Sequence, residues 1–287
     1  MAPTSSSSWA DLPPGVISSI ARLVPCEWDR VRMAATCRAW RARVVVAPPP
    51  PPELPMLLLT SSDVTRLACI LSDGQTHHLC KDRAGMRYFD SYDGAYLFLA
   101  MKQNQHHRLL NLQTSKMRVL PDVVSPHPSL QCVYMVILAA TLSAPPDDPD
   151  CVIAGIITYQ RDRDGGCPRH RRCAFWRMGD PVAYDTVPWD SQAIEDVVYR
   201  KGLFHFLTDN EHILKCAPTF VLDADEVRGA AVESTLHRFV PRHRTHDAVV
   251  RARYLVDSRD ELLMVVRYAP DSDSSTSAFK VFSAVGP

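Results

Sequence analysis

Apolar residues recur at two different periods along the 287-residue chain, and the change of period divides it. In the first 47 residues the period is helical. Leu12, Val16, Ile17, Ile20, Leu23 and Val24 fall at offsets 0, 4, 5, 8, 11 and 12, the spacing of one stripe on a 3.6-residue helix. Asp11 precedes the stripe and Pro13 and Pro14 occupy its first turn, where a missing N–H costs little; Pro25 is expected to stop it. Asp29 is placed to cap a second helix carrying Val31, Met33, Ala34 and Ala35. Thr36 is expected to open a third, with Cys37, Trp40 and Val44 inward and Arg38, Arg41 and Arg43 outward. Three such short helices bury little area, so a partner surface is expected to complete their core.

After residue 55 the pattern changes to short β-branched or aromatic runs bounded by turn residues. Strands are expected over 56–59, 66–71, 76–80, 95–100, 108–112, 117–120, 133–142, 151–159, 172–178 and 182–187, then over 197–199, 203–208, 212–216, 236–240, 249–256, 261–268 and 278–282. At ~40–45 residues per four-stranded blade, residues 56–287 supply between five and six blades, more than one sandwich needs. Between the two textures lies PPPPPELP, residues 48–55. Proline lacks the N–H and fixes φ, so this run is neither helix nor central strand; fully extended it spans about 25 Å as a semi-rigid spacer. The expected organisation is a disordered Ser-rich tail (1–8), a three-helix domain (9–47), the proline linker (48–55) and an all-β propeller-like domain (56–287), an α+β multidomain class.

Charge narrows the partners. Lys+Arg and Asp+Glu are both 32, net zero, which argues against a dedicated nucleic-acid binder. The longest apolar run, 132–142, falls short of the ~18–20 residues of a membrane helix, and no basic segment followed by an apolar one opens the chain. Nine cysteines, an odd number without a signal peptide, fit reduced thiols, with Cys69, Cys132 and Cys151 in apolar surroundings. An intracellular protein of the nucleus, the cytoplasm or both is expected.

Signatures of catalysis are missing: there is no Gly-x-Ser-x-Gly, Gly-x-Gly-x-x-Gly, Walker loop, His-Glu-x-x-His or Cys-x-x-Cys. Neither an enzyme site, a cofactor nor a metal is expected. Carboxylates are expected on turns, exposed and with ordinary pKa values. Cys167, His170 and Cys173 stand at ligand-type spacing but need a fourth ligand, so they read as a hairpin loop. The arginines of that loop (161, 163, 169, 171, 172) are diluted by Asp162 and Asp164 and lack stacking aromatics. His77-His78 and His106-His107 read as surface histidines, with alternation turning one of each pair outward. Trp176, Tyr184, Trp189 and Tyr199 read as core between blades.

Two resemblances join these parts. The stretch WADLPPGVISSIARLVPCEWDRVRMAATCRAWRARV resembles an F-box, through Leu12-Pro13, Val16-Ile17, Ile20, Leu23, Asp29, Val31-Arg32 and Cys37-Arg38-Ala39-Trp40-Arg41. Gly15 and Ser18 replace residues usually acidic or apolar; Gly15 costs roughly 1 kcal/mol relative to Ala, and Pro25-Cys26-Glu27 is a variant connection. Further on, DSYDGAYLFLA, LLNLQTSKMRVLPDV, CAFWRMGDPVAYDTVPW, IEDVVYRKGLFHFLTDNEHILKC and ARYLVDSRDELLMVVRY are similar, in order, to plant F-box proteins with a KIB-type β-propeller. Leu112-Gln113 stands where that family usually has Pro-Leu. Members of that family usually continue past FKVF, so the last blade is expected to be incomplete or closed by an N-terminal strand. The resemblances imply the substrate-recognition subunit of an SCF-type E3 ubiquitin ligase. Leu12, Pro13, Val16, Ile17, Ile20, Val31, Cys37 and Trp40 would contact a Skp-family adaptor, or support that contact, and through it a cullin; the propeller would hold a target protein. The alternative is a non-degradative propeller module that scaffolds or inhibits its partner. A sugar-acting propeller enzyme is disfavoured by the missing carboxylate constellation.

Overall fold

The structure, a computed structural model, describes residues 9–24, 26–46, 57–60, 65–68, 76–78, 86–101, 106–112, 114–126, 131–159, 171–185, 193–223, 226–237 and 249–283. The Ser-rich tail, Pro25, the proline linker, Trp189 and the Cys167/His170 loop up to residue 170 lie outside them. The chain divides into two compact units, Met1–Ala84 and Gly85–Pro287.

In the first unit a 3-10 turn, Trp9–Asp11, leads into α1 (Pro14–Leu23), α2 (Glu27–Thr36) and α3 (Arg38–Val46). Pro13 is the N-cap residue of α1 and Pro14 its first residue; the Val16 and Ile17 amides donate to the Pro13 carbonyl. Asp29 does not cap α2. That helix starts at Glu27 with Cys26 as N-cap, and Asp29 sits in the first turn, where a negative charge complements the helix dipole, 3.2 Å from Arg32. Thr36 ends α2 instead of opening α3, its hydroxyl donating back to the Arg32 carbonyl at 3.2 Å. The core of the bundle is small: Ile17, Ala21, Cys26, Trp40 and Val44 are buried. Arg30 on α2 is buried too, donating to the Ala21 carbonyl of α1 at 2.8 Å, and Trp40 Nε1 donates to the Trp9 carbonyl at 3.1 Å. The same unit holds a three-stranded antiparallel sheet of β1 (Leu57–Thr60), β2 (Thr65–Ala68) and β3 (Thr76–His78).

Four sheets make up the described part of the second unit. The first joins β4 (Met86–Tyr92), β5 (Tyr96–Met101), β6 (His107–Asn111) and β7 (Met117–Val119) in sequence order. The second contains β8 (Val123–Ser125), β9 (Val133–Leu142), β10 (Val152–Tyr159), β11 (Arg172–Arg177) and β12 (Val182–Asp185); β12 pairs in parallel with β8 and closes the sheet on itself. The third joins β13 (Ile194–Arg200), β14 (Leu203–Thr208), β15 (Ile213–Asp223) and β16 (Glu226–His237), and the last β17 (Val249–Ser258), β18 (Glu261–Ala269) and β19 (Ala278–Ser283). Three helices followed by a mostly-β, propeller-like region is the architecture expected from the pattern. The expected strand at 212–216 and the first two residues of that at 236–240 are the two ends of one long hairpin, β15–β16; residues 238–240 lie outside the described residues.

Each pair of neighbouring sheets in this unit encloses one apolar core. Phe98, Leu109, Met135, Ile137, Ile153 and Trp176 fill the first; Ile156, Phe175, Val197, Phe204, Phe206 and Leu214 the second; Leu207, Ile213, Leu255, Leu262, Met264 and Val266 the third. A strand buried on both faces needs apolar residues at successive positions, not alternate ones, which is why β10 reads VIAGIITY. Gly155 in that strand lies against Trp176: a Cβ there would stand 2.8 Å from the indole Cη2. Trp176 and Tyr184 are buried, as expected of core.

Candidate functional site

The first long strand of each sheet in the second unit faces a common cavity of about 1030 Å³, built by residues of β4, β9, β13 and β17. All four strands carry a bulge. Phe89, Leu138, Glu195 and Arg251 are each skipped in the ladder to the next strand. A bulge re-aims the residues beside it, and on β4 and β13 the residue directly after it is an aspartate lining the cavity.

Asp90 accepts the amide of Ser91 at 2.8 Å and, across the channel wall, that of Ala140 on β9 at 3.1 Å. Asp196 accepts the amide of Val197 at 2.9 Å and that of Leu255 on β17 at 2.6 Å. Each aspartate thus fastens its own sheet to the next. Burial pushes the Asp90 carboxyl up to about 7, helped by repulsion from Asp196, against its amide donors. Burial likewise pushes Asp196 up to about 6, with Glu195 adding repulsion. These two carboxylates correct the expectation that acidic residues would all be exposed and ordinary. Nothing in RYFDSY or IEDVV marks these acids out, since Arg87, Ser91 and Glu195 stand in the same runs.

Asp93, Glu195 and Asp257 also line the channel, with Phe89, Tyr92, Tyr199 and Tyr254. Behind the wall Arg253 holds Glu195 at 3.0 Å and Glu211 at 3.4 Å, and Arg200 holds Asp257 at 2.9 Å. Arg87 on β4 donates to the Ile137 carbonyl at 2.6 Å.

His107 is a second correction. Alternation does send His106 outward, but His107 is fully buried. Its Nε2 accepts the Ile137 amide at 3.2 Å, which leaves the proton on Nδ1, 2.9 Å from Asp122. Burial lowers its pKa against the pull of Asp122. An imidazole with both nitrogens engaged this way is a brace between strands; neither nitrogen is left to take a proton from a nucleophile. Three buried thiols of the second unit are held protonated: burial pushes Cys216 up to about 12 and raises Cys151 and Cys173. Among the described residues no group of three His, Cys, Asp or Glu is arranged to hold a metal ion, and no helix is long and apolar enough to cross a membrane.

Residues 66–285 match the family profile described as KIB1-4 beta-propeller. The chain belongs to the KIB1-4 β-propeller family. The KIB1-4 propeller is a protein-interaction module of a non-catalytic family. No curated protein matches the chain. Among solved structures it is similar to the complex of KlAtg21 with the coiled-coil of AgAtg16, at 8% identity and a TM-score of 0.38, covering 78% of this chain and 60% of that one. It is also similar to the Cps50 (Swd1) β-propeller domain of Myceliophteria thermophila, at 11% identity and a TM-score of 0.34, covering 79% of this chain and 70% of that one.

In the first unit the sequence-derived site residues separate by burial. Ile17 and Trp40 are core, at 1% and 8% exposure. Leu12, Ile20 and Cys37 are half-buried; Pro13, Val16 and Val31 are exposed. Val16, Ile20 and Leu23 lie four and three residues apart on α1, along the flank of the face that buries Ile17 and Ala21; Val16 is exposed and Ile20 half-buried. Leu23 on that flank is 82% exposed. The apolar stripe of α1 is therefore wider than the bundle's own core covers.

Proposed function

We propose that this chain is the substrate-recognition subunit of an SCF-type E3 ubiquitin ligase. Its three helices act as an F-box on a Skp-family adaptor, which brings the cullin, and its KIB1-4 propeller holds the target protein. The observation that carries this reading is the uncovered flank of the apolar stripe of α1. Val16 and Leu23, with Val31 on α2, are exposed in a bundle too small to need them; each such side chain, once covered, contributes roughly 1.5–3 kcal/mol. Leu12, Pro13, Val16, Ile20 and Val31 make the contact. Ile17, Cys37 and Trp40 act from behind, by holding the helices that present it. The subunit performs no covalent chemistry. It raises the effective concentration of the target beside a ubiquitin-loaded E2 and fixes its orientation.

The test is co-purification with a Skp-type adaptor and cullin. Leu12→Ala with Pro13→Ala, and separately Val16→Asp, are expected to abolish adaptor capture while the propeller melts at its wild-type temperature. Adaptor and cullin retained by both variants would sink the assignment.

A further inference from the structure

We propose that the channel of the second unit receives a cationic side chain, an arginine or lysine from a basic stretch of the protein that the propeller holds. This rests on the reading of the propeller as the target-binding part and names the chemistry of its target. Among the described residues five carboxylates line the cavity, Asp90, Asp93, Glu195, Asp196 and Asp257, and no lysine or arginine does. Glu195 and Asp257 have their counter-ions behind the wall in Arg253 and Arg200. Among the described residues Asp90 and Asp196 have backbone amides only: each accepts two N–H groups, about half of what a carboxylate can accept. No cation among the described residues offsets their desolvation. A half-buried carboxylate without a counter-ion is held at a cost that an incoming guanidinium or ammonium lowers.

The walls suit the same guest. Tyr92, Tyr199, Tyr254 and Phe89 supply aromatic faces beside the acids, the combination that takes up a cation on leaving water. A volume of about 1030 Å³ is at the upper end for a small-molecule pocket and admits a side chain with its flanking backbone. The opposite class of target, a phosphorylated segment, would meet five carboxylates and no cation among the described lining residues, with Arg87, Arg200 and Arg253 already committed to Ile137, Asp257 and the pair Glu195 and Glu211. From β9 the lining is Leu138, Ala139, Thr141 and Leu142, which adds no charge.

The probe is a fluorescein-labelled Gly-Ser peptide carrying three spaced arginines, titrated into the full chain by anisotropy. Its twins carry citrulline, which keeps the shape and removes the charge, or phosphoserine. The arginine peptide is expected to bind at least tenfold more tightly than either twin. Its affinity is expected to climb between pH 5.5 and 8 as the acids facing it ionise. Asp90→Asn with Asp196→Asn should weaken binding at least tenfold, whereas Glu233→Gln, exposed on β16, should leave it unchanged. Equal affinity for the arginine and citrulline peptides overturns the proposal, as does preference for phosphoserine. So does an equal loss in the Glu233 variant, which would mean attraction to any acidic surface. The peptide comparison uses wild-type protein and stands even if the double variant fails to fold. A protein that captures adaptor and cullin yet ignores arginine loses this inference and keeps the ligase reading; the converse loses only the ligase reading.

Discussion

Asp90 and Asp196 make the propeller's stability depend on pH in a direction opposite to that of most paired carboxylates. Their folded-state pKa values lie above the ordinary 3.8, at about 7 and about 6, so between those limits the folded state binds more protons than the unfolded one. The stability tied to that protonation is complete below the ordinary value and is lost as pH rises through about 6 and about 7. His107 and His205, lowered by burial, act in the reverse sense, so the two effects must be separated by difference. The melting temperature of wild type relative to the Asp90→Asn, Asp196→Asn variant is expected to fall steadily from pH 5 to pH 8 in parallel thermal scans. A constant gap would show that the two groups do not titrate in that range. Neither aspartate was legible as special in the sequence, because DSYDG also reads as a turn signal and IEDVV as a strand start. What distinguishes them is a bulge and a distant amide, and neither leaves a local mark.

At the level of elements, pattern reading worked where burial is one-sided or complete. The inward set Trp40 and Val44 on α3, and strands such as β10, β11 and β14, follow directly from apolar spacing. It failed on the β15–β16 hairpin. Pro218 interrupts the run, and residues such as Thr219, Val221, Ala231, Glu233 and Ser234 are exposed, so neither alternation nor a continuous apolar stretch marks the arms. It also failed on His107, which joins three elements: β6 by its own backbone, the turn before β8 through Asp122, and β9 through the Ile137 amide. His107→Ala leaves that buried amide without an acceptor, at a cost of about 1–3 kcal/mol. The expected readout is a lowered denaturation midpoint with faster hydrogen exchange at Ile137. Unchanged exchange there would mean that the histidine is only filler.

For the whole molecule, the sequence made both the helical segment and the propeller recognisable, the second now a matter of family membership. The proline run between them belongs to the proposed ligase geometry. Replacing residues 48–52 by Gly/Ser is expected to leave adaptor and target binding intact while lowering or scattering modification of the bound target, since orientation at the E2 becomes an average. An in vitro ubiquitination assay with an unchanged rate and site pattern would show that stiffness has no role. One further property belongs to the second sheet, where β8 lies parallel to β12 with Val123 opposite Val182. A parallel pair requires a crossover, and here the crossover is the rest of the sheet, β9 to β11. Closure costs the entropy of a long loop, which a hairpin avoids. During synthesis the ring therefore stays open until β12 has left the ribosome. A nascent chain halted before Val182 carries a β8 with one neighbour and an exposed strand edge, the state most open to mispairing.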